Sequence, residues 1–257
     1  MPLTDAALRA ALDRIGARAP VRFDEVTGST QRTAIELARA GAPEWTLVAA
    51  GHQTEGRGRL GRTWLDEPGR ALLVSLVLRP ELEPDRAGLI PLLAGSSMAR
   101  ACEALARVQV RCRWPNDLLV DERKVGGLLA ESVLEGEAFA FVVLGIGVNL
   151  GSAPGVPGAG ALGDVDAAAL LEAFLETFAR HYEPAHPAFA GAVVEGYRRV
   201  CATIGRRVRA RTTGGALVEG EALDVDERGG LVVRTDAGLE VVRFGEVEHL
   251  DQGALPG

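Results

Sequence analysis

Apolar positions along the chain recur first at helical intervals, then in short buried runs, and finally in strict alternation. After Thr4, a side chain suited to cap a first turn, Ala7, Leu8, Ala11, Leu12 and Ile15 predict a helix over 4–17. Val21-Arg22-Phe23 reads as a short strand, and Gly28-Ser29-Thr30-Gln31 opens a second helix with Ser29 or Thr30 as its cap and Gly41 as its end. Trp45 to Ala50 and Ala71 to Leu78 read as buried strands separated by a loop from His52 to Asp66, and Pro84 to Ala106 as a long helix. Four more strands follow, at Val108–Arg113, Leu118–Val120, Val125–Val133 and Ala138–Val148. The last three are joined by the short turns Asp121-Glu122-Arg123 and Glu135-Gly136-Glu137, which make neighbours antiparallel. The expected fold class is therefore α+β, a mixed or antiparallel sheet carrying helices.

Gly151 to Gly163, rich in glycine and proline, reads as a flexible surface loop, and two helices follow at Val165–Tyr182 and Pro187–Cys201. From Ile204 the texture changes to short alternating strands, with turns at Thr213-Gly214-Gly215, Glu227-Arg228-Gly229-Gly230 and Asp236-Ala237-Gly238. Such a run predicts a small β-barrel. The expected domains are 1–203 and 204–257. Arg206, Arg207, Arg209 and Arg211 at the start of the second domain alternate with Val208 and Ala210, the pattern of a strand with one face in solvent.

Composition narrows the function classes. The 257 residues carry a net charge of −7, which argues against specific DNA binding, and the residues before Pro20 are too few for a helix-turn-helix domain. No apolar run approaches the ~18 residues of a membrane span and the first residues do not form a signal peptide, so a cytoplasmic protein with no membrane partner is expected. Cys102, Cys112 and Cys201 show no metal-ligand spacing and are expected as buried free thiols. His52, His181, His186 and His249 are scattered and Ser29 lacks a nucleophile elbow, which leaves hydrolase and metalloprotease readings poor. Lys and Arg together number 28, and Lys124 is the one lysine among them. In a chain that uses arginine for every other cation, that ammonium marks either a place where a guanidinium would not serve or an accident of composition.

Four segments carry candidate chemistry. Gly56-Arg57-Gly58-Arg59-Leu60-Gly61-Arg62 matches a dinucleotide fingerprint, but Thr63-Trp64-Leu65-Asp66-Glu67-Pro68-Gly69 follows where a helix should start, so that reading fails. What remains is a loop of arginines on glycine hinges, suited to closing over phosphates and expected to be mobile without them. Arg113-Trp114-Pro115-Asn116-Asp117 places an acid in a turn at a strand end. Lys124-Val125-Gly126-Gly127 and Gly145-Ile146-Gly147-Val148-Asn149 put glycines inside strands, where either a ligand or close packing lies against backbone.

Taken in order, with Ser29-Thr30-Gln31 and Gln53, these segments resemble the biotin protein ligase family, with two departures. That family usually has Asn at the place of Gln31 and Lys at the place of Arg113. The resemblance implies a class II synthetase-like catalytic domain and a Src-homology-3-like barrel, in a form without an N-terminal DNA-binding domain. It implies that biotin and ATP, with Mg²⁺, give biotinyl-5′-AMP, and that biotin then passes to a lysine of a biotin carboxyl carrier protein. By the same resemblance Lys124 bridges carboxylate and α-phosphate, and Arg57 and Arg59 act with it in catalysis. Ser29, Thr30, Gln31, Gln53, Arg57, Gly58, Arg59, Lys124, Gly126, Gly127 and Leu128 bind biotin; Arg57, Arg59, Arg62, Trp64, Asn116, Asp117, Lys124 and Asn149 bind nucleotide; and Asn116 and Asp117 lie near metal or phosphates. A lipoate or octanoate ligase and a non-enzymatic biotin sensor stand as rivals, and monomer and homodimer both remain open.

Overall fold

The structure, a computed structural model, describes residues 3–212, 214–243 and 245–250. Thr4 caps α1 (Asp5–Arg14), its Oγ1 accepting from the Ala7 N–H at 3.2 Å, and Leu8, Ala11 and Leu12 are buried. Strand β1 (Val21–Asp24) passes through α2 (Thr30–Arg39) to β2 (Leu47–Ala50), and the two strands pair in parallel. Trp45 stands outside β2 at φ 69°, with its ring edge-on to Phe178 and Tyr182. Then come β3 (Ala71–Leu78), a 3₁₀ turn at Pro84–Arg86 in place of the expected first helical turn, α3 (Leu89–Ala106), β4 (Arg111–Arg113), β5 (Asp117–Val120), β6 (Arg123–Glu135) and β7 (Ala138–Asn149). The sheet runs β1-β2-β3-β7-β6-β5-β4, antiparallel beyond the first pair, so it is the mixed sheet the turns predict. Asp121 and Glu122, at φ 47° and 63°, make the tight turn from β5 to β6.

Helices α4 (Ala167–His181) and α5 (Phe189–Arg198) join α1 and α3 over one face of this sheet, where Leu72, Val74, Leu76, Leu144, Ile146 and Val148 meet them. The other face belongs to α2, whose Ala34 and Ala38 pack on Val48, Val77, Phe141 and Val143. Alternation on β7 therefore carries Phe141 and Val143 under α2 and continues on that same face into Gly145 and Gly147, beyond the helix. A patch of sheet without side chains begins where α2 begins.

The second sheet is β8 (Arg207–Thr212), β9 (Leu217–Val225), β10 (Leu231–Thr235), β11 (Gly238–Val242) and β12 (Gly245–His249), ordered β11-β10-β9-β8-β12 and antiparallel throughout. Among the described residues no pairing joins β11 to β12, so the hydrogen bonding shows a five-stranded sheet in the place expected for a barrel. Val208 and Ala210 are buried and Arg207, Arg209 and Arg211 exposed, as the alternation predicts. Thr213 of the expected first turn, and residues 251–257 of the expected second domain, lie outside the described residues.

The two sheets are stitched together by Trp114. Its backbone N–H donates to Thr203 Oγ1 at 3.0 Å and its indole Nε1 to the Gly229 carbonyl at 3.0 Å, with the ring buried. Nearby, Cys112 and Cys201 face each other across an isolated parallel bridge, and all three cysteines are buried free thiols. Burial, with Glu103 adding to it, pushes the Cys102 thiol up to about 12. No helix among the described residues is long and apolar enough to cross a membrane.

Trp114→Phe removes the donor to a buried carbonyl while keeping an aromatic ring. It should lower the free energy of urea unfolding by about 1–2 kcal/mol, whereas Leu239→Ala at the exposed end of β11 should change it by less than about 0.5 kcal/mol.

Candidate active site

The glycine patch is covered by two side chains of the protein itself. A Cβ built on Gly145 would stand 2.5 Å from Gln31 Oε1 and would have to displace that amide, and one on Gly147 would stand 2.6 Å from the indole of Trp64, so the two side chains lie where only glycine leaves room for them. Gly147 pairs with Gly127 on β6, and Trp64 lies across both. Gln31 sits at the start of α2, where its Nε2 donates to the Val143 carbonyl at 3.1 Å and its Oε1 accepts from Ser75 Oγ at 3.1 Å. Ser75 Oγ and Thr30 Oγ1 are 2.9 Å apart, and the Thr30 N–H donates to Gln53 Oε1 at 2.8 Å. This buried polar chain ends beside Ser29 Oγ, which has no partner among the described residues; Trp64 Nε1 has none either.

The arginine loop is a short hairpin. Gly58 N–H donates to the Arg62 carbonyl at 2.7 Å, Arg57 and Thr63 form a bridge, and Trp64 N–H donates to the Gly56 carbonyl at 2.9 Å, with Leu60 and Gly61 at positive φ in the tip. Each arginine on it has a protein partner. Arg57 Nη2 donates to Glu131 Oε1 at 2.9 Å; Arg59 Nη1 donates to Asn116 Oδ1 at 3.1 Å and the Gly245 carbonyl at 3.0 Å; Arg62 pairs with Glu246. Burial lowers the affinity of the Arg59 guanidinium for its proton, and Asp117 and Glu246 oppose that shift. These partners, distant in sequence, join the loop to β6, to Asn116 and to β12: acids meet Arg57 and Arg62, and neutral oxygens meet Arg59.

Lys124 lies at the start of β6 with its Nζ 2.6 Å from Asp117 Oδ1 and 6.0 Å from the centroid of the Trp64 ring. Arg113 Nη2 donates to Asp117 Oδ2 at 2.6 Å. Burial alone would raise the Asp117 carboxyl; Lys124 and Arg113, by charge and hydrogen bonding, hold it below the usual carboxylate range. The backbone of Lys124 is fixed from the other side by residues 158–160, since its N–H donates to the Gly158 carbonyl and its carbonyl accepts from Gly160 N–H, each at 2.8 Å. The glycine-rich segment read as a flexible surface loop is thereby laid against β6, and Asn149 Nδ2 holds it further through the Gly160 carbonyl at 2.9 Å.

Two cavities meet at Lys124 and Trp64. The first, about 50 Å³, brings together Ser29, Thr30, Gln31, Gln53, Arg57, Gly58, Trp64, Asn116, Lys124, Gly127 and Leu128 of the expected residues, and adds Ser75, Leu129, Gly145, Ile146 and Gly147. The second, about 420 Å³, shares Trp64 and Lys124 and adds Arg113, Asn149 and the loop residues Pro154 and Val156. Four expected residues line neither. Gly126 is on the opposite face of β6, against Leu118 and Val148 of the core. Arg59 and Arg62 point to the second sheet, and Asp117 lies behind Lys124. The carboxylate oxygens of Asp117 are both engaged by cations, so it does not fit the role of a metal ligand, and no group of three His, Cys, Asp or Glu residues among the described residues is arranged to hold a metal. Ser75 was legible only as a lone hydroxyl inside the apolar run Ala71–Leu78, and Glu131 and Glu246 left no sequence signal, because their partners are more than 70 residues away.

In this chain a narrow polar-ended cavity meets a wider one at Lys124 and Trp64, in an α+β domain followed by a small C-terminal sheet, and the matching family is the biotin/lipoate A/B protein ligase family. The chain belongs to that family: its profile matches residues 23–149, and that of the biotin protein ligase C terminal domain matches residues 203–250. The chain is 35% identical over 267 residues to a biotin--[acetyl-CoA-carboxylase] ligase of Mycobacterium tuberculosis, covering 97% of this chain and 96% of the relative. It is 32% identical over 237 residues to the bifunctional ligase/repressor BirA of Bacillus subtilis, covering 88% and 73%. The biotin protein ligase from Aquifex aeolicus in complex with biotin and ATP superposes with a TM-score of 0.68 at 26% identity, covering 89% of this chain and 97% of that one.

Asp117→Asn tests the electrostatics. A carboxyl held low when folded contributes stability that is full above its unfolded value near ~3.9 and is lost as pH falls through the folded value. The variant should be less stable than the wild type by about 1–3 kcal/mol at pH 7, and the difference should close as the pH drops below about 4 in parallel urea titrations.

Proposed function

We propose that the chain is an ATP-dependent biotin protein ligase that forms biotinyl-5′-AMP and passes biotin to a lysine of a biotin carboxyl carrier domain. The observation that carries this is the position of Lys124 at the one boundary shared by the two cavities. In the first step a biotin carboxylate oxygen attacks the α-phosphorus of ATP and pyrophosphate leaves; in the second the acceptor amine attacks the carbonyl carbon and AMP leaves. Both reactants of the first step are anions, so its barrier is largely electrostatic. An ammonium at the boundary, charged and fixed by Asp117, lowers that barrier by touching both anions as they meet.

The first cavity suits the ureido ring and chain of biotin. Ser29 Oγ, buried and unpartnered, supplies a hydroxyl to the ligand, and Thr30 and Gln53 stand beside it. Both ends of the Gln31 amide are already bonded to the protein, which gives the longer side chain a bracing role. The second cavity suits the nucleotide, with Trp64 and Asn149 on its walls and Arg113 near the phosphates. Arg57, Arg59 and Arg62 would reach phosphate oxygens by exchanging Glu131, Asn116, Gly245 and Glu246 for them. Mg²⁺ supplies charge neutralisation on the phosphates when ATP is bound. Trp64, lying over the junction, keeps water from the acyl-adenylate.

Exchange of labelled pyrophosphate into ATP should depend on biotin and proceed poorly with lipoate. Exchange that follows lipoate and ignores biotin, or no exchange with either, would contradict the proposal. Lys124→Arg keeps the charge but replaces a compact ammonium by a planar fork, so adenylation should fall on the order of 10²–10³-fold while the unfolding temperature barely moves.

A further inference from the structure

The hairpin at 56–64 does not end where its backbone ladder ends. Below the last bond, between Trp64 N–H and the Gly56 carbonyl, the two arms are joined by a side chain: Asp66 Oδ1 accepts from the Gln53 N–H at 3.3 Å, and Asp66 Oδ2 is 2.8 Å from His52 Nδ1. The Asp66 side chain has no exposed surface, while His52 is partly open to solvent. The first arm is further tied to the segment before α2, through Thr27 N–H to the His52 carbonyl at 3.0 Å and Thr54 N–H to the Thr27 carbonyl at 2.9 Å. A fully buried carboxylate that receives both a ring nitrogen and a backbone N–H is costly to leave unpaired, so it holds the arms together strongly.

The two arms carry Gln53 and Trp64, two of the side chains that line the first cavity. Gln53 follows His52 and meets Thr30; Trp64 precedes Asp66 by two residues and lies on Gly127 and Gly147. We infer that Asp66 and His52 form a positioning pair that closes the stem of the arginine hairpin and so sets Gln53 and Trp64 for the ligand. Neither residue touches the cavity. The effect on ligand binding rests on the biotin reading, whereas the effect on the hairpin stands without it.

Two measurements on Asp66→Ala, Asp66→Asn and His52→Ala decide the point. The first is the rate at which trypsin releases fragments ending at Arg57, Arg59 or Arg62 from the ligand-free protein, read by mass spectrometry. The second is KM for biotin against kcat in pyrophosphate exchange. Asp66→Ala and His52→Ala should each raise the cleavage rate and the biotin KM about tenfold, the size of one or two lost hydrogen bonds, with kcat within about threefold of wild type. Asp66→Asn, which keeps an oxygen for the Gln53 N–H, should recover most of the loss. His52 is partly exposed, so its variant decides even if Asp66→Ala does not fold. His52→Ala with wild-type cleavage and wild-type KM, or variants that lower kcat without loosening the hairpin, would overturn the inference. Absence of biotin-dependent exchange in the wild type would instead count against the biotin reading, and the cleavage rates would still judge the clasp.

Discussion

The Asp117 carboxylate, held between Lys124 and Arg113, is the interaction that orders the region around the cavities. Placing a charge in a largely buried position costs free energy unless it is paired, and here the pairing fixes two cations at once. One is the ammonium at the boundary of the two cavities, the other a guanidinium on the wall of the wider one. The tight turn that joins β5 to β6 makes this possible, because it sets Lys124 opposite Leu119 and so within reach of Asp117 on the same antiparallel strand pair. With residues 158–160 holding the backbone of Lys124 and Asp117 holding its side chain, little freedom is left to the ammonium at the boundary of the two cavities.

The second constraint is geometric. On β6 and β7 the face beyond α2 carries no side chain at Gly127, Gly145 and Gly147, so Gln31 and Trp64 can lie on backbone. A methyl group at Gly145 or Gly147 would collide with them. The glycines, which from sequence admit either a ligand or close packing against backbone, are a bed for side chains that line the first cavity. Charge follows the same logic: three arginines that repel one another when considered alone are separated by Glu131 of β6, Asn116 of the turn before β5 and Glu246 of β12.

Much of this was legible beforehand where it depends on neighbours in sequence. The Thr4 cap, the bounds of β3, the antiparallel run from β5 to β7 and the one-sided arginines of β8 all follow from spacing within a few residues. Most of the residues that gather at the first cavity were expected instead from the resemblance to the biotin protein ligase family. What escaped depends on distant partners: the hairpin form of the arginine loop, the bonding of residues 158–160 to Lys124, the reversal of Gly126 toward the core, and the use of both Asp117 oxygens by cations. His52 looked like one of four scattered histidines until the fold set it beside Asp66.

The lone lysine makes the central claim directly measurable. An amine-selective acetylating reagent can modify only Lys124 and the N-terminus of this chain, and peptide mass spectrometry separates the two. If Lys124 stands where the two substrates meet, its labelling should be slowed strongly when biotin and ATP are present together and only weakly by either alone, while the N-terminal rate stays constant. Labelling of Lys124 at the same rate in all four conditions would contradict the account.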